Sequence, residues 1–145
     1  MTDRPDLAAM IVPLGRALMA AEQPVLAAHG ITMWAYVVLL HLDEGPARGQ
    51  GVLAQEIGAD KTRIIAVLDD LQERGLIERR PDPADRRARL LALTVEGRRL
   101  RDAAQAEIQA REDSLLAKLP AADRRGFLNA LTALAALPRD EITGL

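Results

Sequence analysis

Arg79, Arg80, Arg86, Arg87 and Arg89 crowd around "PDPAD" at 81–85, a stretch of turn-forming residues, and the apolar run "LLAL" follows at 90–93. Guanidinium groups at this density repel one another unless an anion lies against them. Arginine's planar fork of donors matches phosphate oxygens and base edges, so the chemistry is recognition of a polyanion rather than bond-making. A second basic group, Lys61-Thr62-Arg63, directly follows Asp60. Asp60 is a good helix N-cap and puts all three residues in a first helical turn, where the dipole favours anions.

Other chemistries lack their residues. There is no cysteine, which removes disulfides, thiolate catalysis, zinc–cysteine sites and thiol redox sensing. The two histidines, His29 and His41, have Asp43 and Glu44 nearby, but the set has no metal-ligand spacing and no metal site is expected. The chain carries no phosphate-cradling glycine loop, no nucleophile elbow and no HExxH motif. Asp69 and Asp70 are adjacent on a helix and diverge. No catalytic residue and no cofactor are expected, and an enzyme is the class least supported.

Charge distribution supports the polyanion reading where net charge does not. The 145-residue chain has a formal charge of −2. From Arg74 to Arg101, however, nine arginines face four acids (Glu78, Asp82, Asp85, Glu96), giving +5 and leaving −7 on the rest. A basic patch on an acidic body is the electrostatic footprint of a nucleic-acid binder. No apolar run approaches ~18 residues, so no membrane span is expected. The first residues lack a basic leader followed by an unbroken apolar core, so they do not read as a signal peptide, and the cytoplasm is the expected location.

The elements that must position these residues are mainly helical. Half the chain is hydrophobic, but Trp34, Tyr36 and Phe127 are its only aromatics, so Leu, Ala, Ile and Val must build the core. Residues 4–29 read as a helix, with Leu7, Met10, Ile11, Leu14 and Leu18 at helical spacing. Pro13 and Pro24 each remove a backbone donor and should kink or interrupt it. Thr32 can cap a helix over 33–43, "DEGPARGQG" breaks it, and a short helix covers 51–58. Ala54 is small where two helices would cross, and Gly58 suits a turn with positive φ. The helix over 61–74 turns Ile64, Val67, Leu68 and Leu71 to one side and stops at Gly75. "LIERR" and "RLLAL" then form strands around the "PDPADRRA" turn. Thr94 caps a helix over 95–117, and a last helix covers 121–137.

A short helix, a tight turn and a longer helix followed by a basic hairpin describe a winged helix-turn-helix. From Ile31 to Gly97 the chain resembles the multiple antibiotic resistance regulator (MarR) family of bacterial transcription factors. The resemblance is strongest in "LAQEIGADKTRIIAVLDDLQERGLIERRPDPADRRARLLALTVEG". Within it, the "LxxRGLIxRxxDPxDRRxxxLxLTxxG" spacing from Leu71 to Gly97 is quite specific. The resemblance implies a six-helix, mainly α homodimer with a small β-hairpin wing. Residues 1–31 and 95–145 would form an interlocking helical dimerisation region, and residues 32–94 the DNA-binding region. Double-stranded DNA with an imperfectly palindromic site is the implied partner. The bottom-up reading agrees, because apolar stripes on the terminal helices need a second copy to cover them.

Lys61, Thr62 and Arg63 are expected in the major groove, with Arg63 suited to a guanine and Lys61 to a phosphate. The resemblance places an acid-braced, minor-groove arginine at Arg87, with Asp85 as the brace. Arg79, Arg80, Arg86 and Arg89 are expected to serve the DNA backbone and wing. The chain departs from the family where relatives carry polar or basic residues and it has Ile65, Ala66 and Asp70. Either Arg63 takes over base reading, or sequence preference is weak or unusual, or DNA binding has been lost. The last would make the protein an interaction or antagonist module. The resemblance also implies a cleft for a small aromatic or phenolic effector, for which Met10, Leu14, Arg16, Met33, Trp34 and His41 are candidates, with His29 and Tyr36 nearby. Trp34 and Arg16 could stack on and pair with an aromatic carboxylate, whereas Tyr36 reads as core.

Overall fold

A computed structural model of the chain describes residues 3–42 and 48–144. It divides into two compact units, Met1–Glu107 and Ile108–Leu145. The first holds the helices α1 (Leu7–Ala28), α2 (Met33–His41), α3 (Gln50–Ile57) and α4 (Lys61–Glu73). It also holds the strands β1 (Arg48–Gly49), β2 (Ile77–Asp82) and β3 (Asp85–Leu93) and the first part of α5 (Val95–Leu116). The second holds the end of α5, then α6 (Ala121–Ala135) and α7 (Arg139–Thr143). Seven helices thus occur among the described residues rather than six. The extra one is a single short turn after Pro138, a residue suited to starting a helix.

Local sequence signals account for most boundaries. Thr32 caps α2 by accepting from the Ala35 amide at 3.2 Å. Asp60 caps α4 by accepting from the Arg63 amide at 2.8 Å. Gly58 ends α3 with φ +68°, a left-handed conformation open to glycine, and so makes the tight turn between α3 and α4. Thr94 joins three pieces at once. Its amide donates to the Leu76 carbonyl at 3.2 Å, its hydroxyl donates to the Gly75 carbonyl at 2.7 Å, and its Oγ1 accepts from the Gly97 amide at 3.0 Å. The wing's exit and the start of α5 are therefore tied to the turn that follows α4.

Three details differ from the sequence reading. α1 runs unbroken through Pro13 and Pro24. Each proline forfeits one backbone bond, and a 22-residue helix retains enough on either side to continue. The wing has a third strand, β1, giving the order β1-β3-β2. The "DEGPARGQG" break falls partly on residues 43–47, outside the described residues. Finally, the hairpin register jumps: Pro81 pairs with Arg89 but Asp82 pairs with Asp85. Arg86, Arg87 and Ala88 are thereby looped out of the ladder as a bulge. Pro81, which cannot donate to a ladder, sits on the edge strand, where it is tolerated.

The core of the first unit is aliphatic. Leu26, Val38, Leu39, Leu53, Leu68 and Leu71 are wholly inaccessible, and Ile64, Ile77 and Leu91 nearly so. Tyr36 is also buried, as its reading as core required. Leu53 of α3 and Ile64 and Leu68 of α4 hold the helix pair against the body, which fixes the direction in which the rest of α4 points.

Candidate nucleic-acid interface

At 3.6 residues per turn, the buried Ile64, Leu68 and Leu71 set the inward face of α4. Thr62, Ala66, Asp69 and Glu73 lie opposite and are exposed. Lys61 and Ile65 lie on the flank toward the wing, and Arg63 and Asp70 on the flank toward α2. The outward face is thus poor in cations, as Ile65, Ala66 and Asp70 suggested, and the basic groups stand at its two edges.

The wing edge is built as a groove of about 600 Å³. It is lined by Gly51 and Val52 at the start of α3, by Lys61 and Ile65 of α4, and by Arg87 and Arg89 of β3. Two consecutive helices and a later strand therefore share one face, on which Lys61, Arg87 and Arg89 outnumber Asp82. Arg87 and Arg89 are exposed on it, and Arg86, next to Arg87 in the chain, is exposed as well. For Arg86 and Arg87 the bulge explains how: looping residues out of the ladder re-aims their side chains away from the sheet. Asp85 accepts a hydrogen bond from the Arg87 amide at 3.0 Å, and Asp82 accepts one from the Ala84 amide at 2.9 Å. The brace expected between Asp85 and Arg87 is thus made through the backbone, which holds the bulge rather than the guanidinium itself. Arg80 is exposed on β2, with Glu78 4.0 Å from its Nε.

Arg79, a candidate for the DNA backbone, folds back onto α4. Its Nε donates to Gln72 Oε1 at 2.6 Å, and its Nη2 is paired with Asp69. The acid on the outward face of α4 captures it, so Arg79 locks β2 to α4. Arg74 behaves similarly, donating to the Gly30 carbonyl at 2.9 Å beside Asp70.

The other edge of α4 holds a contact that spacing alone did not reveal. The Arg63 guanidinium lies over the Trp34 ring, 5.4 Å from its centroid. Trp34, a candidate for stacking on an aromatic effector, thus carries the Arg63 cation against its ring. The remaining effector candidates are divided between two helices. Met10, Leu14 and Arg16 are exposed on α1, while Met33 and His41 are half-buried on α2. The His41 Nδ1–H donates to the Val37 carbonyl at 2.8 Å. Sequence reasoning also missed Gly51 and Val52, which it placed in a helix without signalling that the wing folds back beside them.

A helix-turn-helix and a bulged basic wing on one face define a winged duplex-DNA-binding module. Comparison with known proteins agrees. The MarR family pattern matches residues 29–88. A MarR-family transcriptional regulator from Rhodococcus sp. RHA1 is 30% identical, with TM-score 0.77, covering 92% of this chain and 97% of that one. CouR from Rhodococcus jostii RHA1, solved with p-coumaroyl-CoA, is 30% identical, with TM-score 0.75, covering 94% and 98%. The transcriptional repressor Rv2887 of Mycobacterium tuberculosis is 26% identical over 134 residues, 92% of this chain and 96% of that one. Its structure in complex with DNA superposes with TM-score 0.77. This chain belongs to the MarR family of transcriptional regulators.

Proposed function

We propose that the protein is a ligand-responsive repressor that binds a palindromic operator as a homodimer in the cytoplasm. The observation that carries this reading is the groove in which α3, α4 and the wing bring Lys61, Arg87 and Arg89 to one face. Lys61, Arg80, Arg86 and Arg89 serve phosphates, Thr62 and Arg63 face the major groove, and Arg87 enters the minor groove from the bulge. Such insertion suits a narrow, A·T-rich groove, whose negative potential is enhanced. Rv2887, similar over nearly all of its length, is a repressor with a DNA complex, which supports the same role here. Nothing in this reading calls for catalysis.

The dimer follows from surface that one copy leaves bare. Leu7, Met10, Ile11 and Leu14 of α1 and Leu128, Leu131 and Leu134 of α6 are each at least about two-fifths exposed, and α6 buries no residue. Contiguous apolar faces of this kind belong to interfaces. Two copies would present their α4 helices to half-sites about 10 base pairs apart, or a little more. Leu131→Glu should give monomers by light scattering and abolish operator retention, because one half-site supplies only half the contacts. An effector would act by preferring a dimer whose α4 helices are misplaced for the grooves, lowering operator affinity by its differential binding. The p-coumaroyl-CoA bound by CouR supports an aromatic acyl or phenolic ligand class.

The test is a shift assay at low salt, with duplex from upstream of the protein's own coding region and a scrambled duplex of equal length. Specific retention is expected. Equal, weak retention of both duplexes, or none, would favour an interaction module instead. The cation-poor outward face of α4 is the feature that motivates that second reading.

A further inference from the structure

We infer that Trp34 is a positioning residue for DNA recognition: its ring holds the Arg63 guanidinium ready at the α2 edge of the recognition helix. This inference rests on the regulator reading above.

The argument starts from how arginines around α4 are held. Arg79 is engaged by Asp69 and Gln72, and Arg74 by Asp70 and the Gly30 carbonyl. These contacts consume donors and neutralise charge. Arg63 is different. Among the described residues it makes no ion pair, and its contact is the face of an indole, 5.4 Å from guanidinium carbon to centroid. That lies within the range at which a ring quadrupole attracts a cation. A cation held by a ring face spends no N–H donor on a hydrogen-bond acceptor and loses no charge to an acid. The stack therefore restrains a flexible side chain while leaving its fork free for a guanine edge or a phosphate. Ordering that side chain in advance removes part of the entropic cost of binding.

Both partners are themselves fixed. Arg63 sits in the first turn of α4, and its amide is held by the Asp60 cap at 2.8 Å. Trp34 is the second residue of α2, in the turn capped by Thr32. Trp34 is half-buried, which limits the freedom of its ring. The outward face of α4 offers Thr62 and Ala66 but no free cation, so the fork at its edge is the donor set available for discriminating bases on that flank.

The test is a double-substitution cycle on the full chain, with fluorescence anisotropy of labelled upstream duplex. Arg63→Ala should weaken specific binding about tenfold or more. Trp34→Leu should weaken it roughly three- to tenfold, and Trp34→Leu with Arg63→Ala should be no weaker than Arg63→Ala alone. Trp34→Phe should recover most of the affinity, since a phenyl face still accepts the stack. Trp34 is the only tryptophan, so its emission reports on the contact directly. Saturating duplex should change that emission in the unaltered chain and leave it unchanged in Arg63→Ala. If Trp34→Leu binds as well as the unaltered chain, or if its loss is the same with and without Arg63, the inference is overturned. Should Trp34→Leu not fold, Trp34→Phe and the Arg63→Ala emission decide the matter. No binding by the unaltered chain would instead overturn the regulator reading, and this inference with it.

Discussion

Gly97→Ala should destabilise the protein by about 3 kcal/mol or more, lowering the thermal midpoint by roughly 10 °C in a circular-dichroism melt. Substituting alanine for glycine inside an exposed helix normally stabilises by about 1 kcal/mol, so the sign here is reversed by packing. Gly97 is the third residue of α5 and is buried. A Cβ on it would fall against the Leu76 carbonyl oxygen, far inside contact distance, and 2.8 Å from Leu93 Cδ1. The Leu76 carbonyl cannot move aside, because it accepts the Thr94 amide, and Thr94 in turn holds the Gly75 carbonyl and the Gly97 amide. Displacing α5 would thus loosen the turn after α4 and the root of both wing strands together. Gly51→Ala is the control: a Cβ there meets nothing within 4 Å, and the melt should be unchanged or slightly raised. A Gly97→Ala chain as stable as the original would mean that α5 can shift off the wing at no cost.

What could be seen in advance divides by range along the chain. The caps at Thr32, Asp60 and Thr94 and the positive φ at Gly58 depend on neighbours within a few residues, and residue type alone signals them. The aliphatic face of α4 is equally local. The features that shape the interface are not. β1 is two residues long and exists only because Arg48 and Gly49 meet Leu91 and Leu90, some forty positions on. The bulge at 86–88 depends on how Asp82 and Asp85 register across the hairpin. Arg79 reads as one more wing cation until α4 brings Asp69 and Gln72 against it. Trp34 and Arg63 are 29 positions apart, and no periodicity joins them. Composition supplied the abundance of arginine, but its division into braces and free cations came from tertiary contacts.

That division yields opposite expectations for two neighbouring arginines of the wing. Arg87→Ala should weaken operator binding tenfold or more at fixed salt, with the dimer and the melt unchanged. The side chain is exposed on the bulge, so its removal leaves no cavity. It should also make the dependence of log K on log salt shallower, since a cation inserted between the two phosphate strands displaces condensed counterions as a phosphate contact does, at about −0.9 of slope per charge neutralised. A dimer presents the site twice, which doubles the change. Arg79→Ala should behave in reverse. Its guanidinium is one-fifth exposed and committed to Asp69, so losing it costs stability of about 1 kcal/mol or less while the salt slope stays the same. Asp85→Ala falls between them. It frees the Arg87 amide from its 3.0 Å bond, relaxing the bulge without removing the cation, so affinity should drop less than in Arg87→Ala and the slope should hold. If Arg79→Ala flattened the slope and Arg87→Ala did not, the roles of brace and contact would have to be exchanged. The back-folded Arg79 would then have to leave Asp69 when DNA arrives.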